Sequence, residues 1–192
     1  MTPNQILICI KVSRQRPYYF CSVQRKTMKT MNTLEQIAQA NKQLTETVAT
    51  EFAKLDIGAL NYKPGPESWS ILECLEHLNR YSRYYNPVLA KAIAQNAYGT
   101  FLEHISYSWL GKKSLDMVRP QNMKKHKTVK HMNPNNSQLG RATLDEFLKH
   151  QQELQQLLQQ AKGANLNKKA VPVEFFKLLK LRIGETLEFV VT

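Results

Sequence analysis

The fold class predicted for this chain is all-α, an up-down four-helix bundle, and three observations predict it. Apolar residues recur near every 3.6 positions in four separate stretches. Capping-box pairs, a Ser or Thr with Glu or Gln three residues later, stand at the heads of three of them. The composition is rich in Gln, Leu, Lys and Glu, with only seven glycines and three well-separated cysteines, Cys9, Cys21 and Cys74. That balance fits a mainly helical, soluble, cytoplasmic protein and excludes a disulfide scaffold. With 192 residues the chain suffices for one domain with a substantial core and is short for two.

Residues 1 to 30 stand apart. They hold the apolar run Ile6-Leu7-Ile8-Cys9-Ile10 and then Arg14, Arg16, Arg25, Lys26 and Lys29, with no acidic residue. The apolar run precedes most of the positive charge, the reverse of a secretory signal. We expect a disordered or spurious N-terminal extension, with Met28 or Met31 as the true start, and a single domain over 31–192.

The first helix is predicted over about 31–55. Thr33 with Gln36, or Asn32 with Glu35, offers a start, and Leu34, Ile37, Ala38, Leu44, Val48, Phe52 and Leu55 mark its stripe. Gly58 and Lys63-Pro64-Gly65-Pro66 then interrupt the pattern. The second helix, about 70–95, has the clearest start. Ser70 and Glu73 form a capping box, and Trp69 and Cys74 are placed for a hydrophobic staple across it. Its stripe is Ile71, Cys74, Leu75, Leu78, Tyr85, Leu89 and Ala92; His77 lies on one flank with Tyr81, Tyr84 and Val88, while Glu76 is expected to face outward. Pro87 predicts a kink after Asn86.

Residues 97–140 are irregular, with one short helical turn expected around Tyr98, Phe101, Ile105, Tyr107, Trp109 and Leu110. The third helix is predicted over about 142–161, started by Thr143 with Glu146 and stopped by Gly163. Its Gln-rich face and His150 are read as solvated. Ala170-Val171-Pro172-Val173 reads as an extended connection, and a last helix is expected from about Ile183.

Charge narrows the choice of partners. The formal charge is +12, but residues 1–30 carry +6 and residues 100–141 another +6, leaving 31–99 at −1 and 142–192 at +1. The predicted helices are therefore nearly neutral, and a nucleic-acid-binding helix is not expected. A basic loop over 112–130, containing Lys124, Lys125, His126 and Lys127, is the one candidate for holding a polyanion or protein partner. No apolar run is long enough to span a bilayer, so no membrane partner is expected. Neither a phosphate-binding glycine loop nor a paired-cysteine zinc motif is present.

The run Trp69-Ser70-Ile71-Leu72-Glu73 with His77-Leu78 resembles the signature of the DinB-like superfamily, and Leu181-Arg182-Ile183-Gly184-Glu185-Thr186-Leu187 resembles the start of that family's last helix. The resemblance covers about 31–192. It implies a four-helix bundle that binds a divalent metal (zinc, nickel or iron), relatives that are thiol transferases or are classed as hydrolases, and a small-molecule or thiol substrate. It makes His77 one metal ligand and assigns two more to a His-x-x-x-His pair shortly after the Gly-Glu segment. Residues 186–192 contain no histidine. The expectation is thus a last helix cut short and a defective metal site, with homodimerisation as one way to supply the missing wall. Two further readings are a non-catalytic module using the basic loop, and a truncated remnant exposing Phe189, Val190 and Val191.

Overall fold

In the computed structural model of the chain, residues 30–98, 104–119, 121–122 and 127–192 are described. They form α1 (Thr30–Thr50), α2 (Ile57–Asn61), α3 (Ile71–Gln95), α4 (Trp109–Val118), α5 (Arg141–Gln160), β1 (Lys169–Val173), β2 (Phe176–Arg182) and α6 (Ile183–Val191), with short 3-10 turns between several of them. The described chain is mostly helical, but it is not wholly so. β1 and β2 pair as an antiparallel hairpin, which the all-α expectation omits.

The three long helices associate through polar contacts whose order gives their direction. Asn79, Arg83 and Asn86 of α3 bond in turn to Thr143, Glu146 and His150 of α5, so α3 and α5 run parallel. Asn41 bonds to the Gln151 carbonyl and the Gln155 side chain bonds back to the Ala38 carbonyl, so α1 and α5 are antiparallel. The expected up-down alternation is therefore corrected: α1 runs one way, and α3 and α5 both run the other. The long connection over 96–140 makes this possible by carrying the chain back to the end from which α3 began.

Two clusters fill the interior. Leu34, Ile37, Tyr85, Leu89, Ile93, Leu154, Leu158, Ile183 and Leu187 belong to the larger. Val48, Phe52, Leu60, Leu72, Leu75, Leu144 and Phe147 form the other. Most of these lie on the stripes read from helical spacing, but Leu60, Leu72 and Ile93 are not on them, while Ile71 and Leu78 of the predicted stripe are only half-buried; burying each large side chain contributes roughly 1.5–3 kcal/mol before the entropy cost.

Several boundaries differ from the sequence reading. Helix α1 ends at Thr50, and Phe52–Lys54 continue as a 3-10 turn. Thr30 already lies inside α1, so Asn32 and Thr33 do not cap it; the rest of the predicted tail lies outside the described residues. Helix α5 starts from Gly140 without a side-chain cap, because Thr143 is buried within the helix and Glu146 is taken by Arg83. Helix α3 runs through Pro87 as the expected range of about 70–95 requires; Pro87 lies on its exposed side, where a carbonyl without a backbone donor can be solvated.

Trp109 and Leu110 do begin a helix, but Trp109 and Tyr98 are exposed rather than packed on the core, and Phe101 lies outside the described residues. Gln151 is buried and Gln155 half-buried, against the expectation of a wholly solvated Gln face. Phe189, Val190 and Val191 are half-buried and pack on the larger cluster, so they do not form the exposed surface expected of a remnant. Among the described residues no helix is long and apolar enough to cross a membrane.

Candidate metal centre

His77 sits two turns into α3, and the start of that helix fixes its direction. The Ser70 hydroxyl accepts from the Glu73 amide at 3.1 Å and the Glu73 carboxylate accepts from the Ser70 amide at 2.9 Å, completing the predicted capping box. Glu73 does more than cap. Its second oxygen accepts from the Asn136 amide at 3.0 Å and pairs with Lys63 at 2.7 Å. Asn136 has φ 63°, a left-handed turn that asparagine tolerates, and this turn brings the 127–139 segment onto α3. Both oxygens of Glu73 are thus committed to the helix start, to Asn136 and to Lys63.

The same segment closes over His77. The ring Nδ1 donates to the Met132 carbonyl at 2.8 Å, and Arg80, one turn on, donates to the carbonyls of His131 and Asn133. His77 is only 4% exposed. Its ring lies 4.9 Å from that of Trp69 and 5.0 Å from that of Tyr81. Tyr81 in turn meets Phe189, near the end of α6, edge to face at 6.3 Å. The histidine thus faces an aromatic wall built from the helix start, from the following turn of α3 and from α6.

These surroundings set its chemistry. Burial pushes the His77 pKa down to about 4, opposed by the bond to Met132 and assisted by the nearby Arg80 charge. The ring is neutral at physiological pH. A carbonyl can only accept, so the proton is on Nδ1 and Nε2 keeps its lone pair. Metal-ligating histidines commonly show this pattern, with one nitrogen tied to a carbonyl and the other free to coordinate.

The other histidines do not join it. His131 Nε2 pairs with Glu174 Oε1 at 2.7 Å, and His150, half-buried rather than solvated, bridges Glu146 and Glu153. The His104 carbonyl is held by Asn167, and His126 lies outside the described residues. Glu76 is buried, contrary to the expectation that it faces outward, and bonds to Arg80 at 2.8 Å and Arg83 at 3.0 Å. Among the described residues no group of three or more His, Cys, Asp or Glu side chains is placed to hold a metal ion. Cys74 is a buried thiol outside any disulfide, as expected for a small core residue.

The second matching segment also has a structural role. Gly184 approaches Ile105 and Leu166 closely enough that a Cβ there would crowd both. Glu185 accepts from the amides of Arg182 and Ser108 and from the Ser108 hydroxyl, each at 2.8 Å. It starts α6 and α4 together. Of the basic loop, Lys112 and Lys113 are exposed on α4 and Lys127 is exposed, while Lys124, Lys125 and His126 lie outside the described residues.

One comparison with known proteins is informative. The sequence profile of the DinB superfamily matches residues 38–192, most of the chain, and the chain belongs to that superfamily. No curated protein and no solved structure matches it.

Proposed function

We propose that this member of the DinB superfamily uses His77 as one ligand of a divalent-metal site, in a single domain over 31–192 whose α1, α3, α5 and α6 form a four-helix bundle. The observation that carries the reading is the His77 imidazole itself, buried, neutral and tied through Nδ1 to the Met132 carbonyl. The bundle reading draws support from the packing of α5 on α3 and α1, and of α6 on α3 and α1. The family resemblance adds zinc, nickel or iron as the ion and thiol transfer or hydrolysis of a small molecule as the chemistry. A bound divalent ion would lower the pKa of a water or thiol held on it.

The fit to a complete centre fails among the described residues. One prepared ligand is present, and a catalytic zinc site takes three protein ligands and one open position. No catalytic step is therefore assigned to this ion. The reading is that His77 coordinates, and that tight binding needs donors from beyond the described residues or from a second copy of the chain.

Titrating zinc into nitrogen-15-labelled protein tests it, read at the histidine ring nitrogens. The expected result is a shift of the His77 Nε2 resonance with Nδ1 still protonated. Absence of any His77 response at zinc concentrations that shift an exposed histidine such as His131 would remove the proposal.

A further inference from the structure

The hairpin presents an apolar surface that the interior does not use. Leu178 is 84% exposed and Phe175 65%, and Phe176 and Leu179 also face solvent. Trp109, at the start of α4, is 74% exposed. A groove of about 480 Å³ runs between them, lined by Ser108, Trp109, Leu110, Lys169 and Leu178 to Lys180. Scattered exposed apolar residues are ordinary, but contiguous ones rimmed by charge mark interaction surfaces.

The hairpin is irregular where it is most exposed. Among the described residues its sheet has two strands, both touching α6, β1 also α3 and β2 also α4. Phe176 stands opposite Val173 and Lys180 opposite Pro172, so residues 177–179 bulge out of the ladder without cross-strand partners. Such a bulge works against strand addition and leaves the side chains of Lys177, Leu178 and Leu179 in solvent.

Here the charge is of one sign. Lys169, Lys177 and Lys180 are exposed on the hairpin, and the Lys113 ammonium lies 5.0 Å from the centre of the Trp109 ring. The hairpin's one acidic residue, Glu174, is turned to His131. A second copy seated on the same patch would set lysines against lysines, which is unfavourable. An acidic segment would find complementary charge and apolar anchors together.

We propose that the exposed bulge 177–179 of β2, with Trp109, docks an acidic, extended segment of a partner protein, its apolar side chains seated in the groove lined by Leu178, Leu179 and Trp109 and its carboxylates facing Lys169, Lys177 and Lys180. The proposal does not depend on a metal at His77.

The test uses the full chain and a fluorescent peptide of about ten residues alternating Glu and Val, followed by anisotropy near physiological salt. Saturable binding is expected, with hydrogen-exchange protection gained by amides in Phe176–Arg182. Leu178→Ser and the pair Lys177→Glu, Lys180→Glu should each weaken binding by about tenfold or more; all three positions are exposed, so circular dichroism should match the parent. The proposal is overturned if no saturable binding appears, or if Leu178→Ser leaves affinity unchanged. It is equally overturned if phosphatidylserine vesicles protect these amides where the peptide does not, or if the patch instead drives self-association that Leu178→Ser abolishes.

Discussion

The carboxylate of Glu185 accepts from the backbone amides of Arg182 and Ser108 at the same distance, 2.8 Å to each, and so anchors the first turn of α6 and the first turn of α4 to one buried group. Gly111 makes room for it, since a Cβ at that position would overlap the carboxylate. The Gly-Glu segment that carries half of the family resemblance is thus a structural clamp. Glu73 is its counterpart in the other half, joining the start of α3 to Asn136 and Lys63.

Replacing Glu185 by Ala should therefore destabilise the protein by on the order of 3 kcal/mol, because buried donors at two helix starts lose a charged acceptor. Gly111→Ala should act in the same direction through overlap with the carboxylate. Urea midpoints of both variants check this; a change below about 0.5 kcal/mol in either would contradict the clamp.

Glu76 gives the acid dependence. Burial alone would raise its pKa, but the bonds from Arg83 and Arg80 outweigh this and hold the carboxyl below its ordinary value of 4.5. A carboxyl lowered by folding stabilises fully above its unfolded pKa, and that contribution is lost as pH falls through the lowered value. Stability should fall as pH is lowered through and below 4.5, and Glu76→Gln should flatten part of that drop. Arg83→Ala should cost about 1–2 kcal/mol at neutral pH by leaving Glu76 with one cationic partner, the side chain's partial exposure limiting the loss. Equal acid sensitivity in Glu76→Gln and the parent would count against this account.

Pro87 lies in a helix that continues on both sides of it. Pro87→Ala restores a backbone donor and should raise stability by about 1–3 kcal/mol, reduced by the freedom the unfolded chain regains. A thermal midpoint at or below the parent's would mean that the proline ring packs favourably where it stands.

What the sequence made legible follows the range of the interactions involved. The Ser70 cap, the buried stripes of α1, α3 and α5 and the start of α6 were readable because each depends on residues three or four positions apart. The parallel run of α3 and α5 was not, since it is written in pairs such as Asn79 with Thr143 that lie 64 positions apart. The hairpin escaped because β2, Phe-Lys-Leu-Leu-Lys-Leu-Arg, does not alternate cleanly, and nearly all of it is exposed. Glu76 was misplaced for a related reason: a carboxylate can be buried when two arginines follow at four and seven positions, on the same side of the helix. His77 was found through its neighbours Trp69 to Glu73, while the group that prepares it, the Met132 carbonyl, comes from a segment with no periodicity to read.

We propose His77 as a neutral imidazole, protonated on Nδ1, whose Nε2 coordinates a divalent ion. The most direct measurement is the pair of His77 ring nitrogen shifts in labelled protein at neutral pH, before and after zinc. The expected result is the Nδ1–H form throughout, and an Nε2 shift on adding zinc that is lost in His77→Gln. A proton found on Nε2, or a zinc response at other histidines with His77 unmoved, would contradict it.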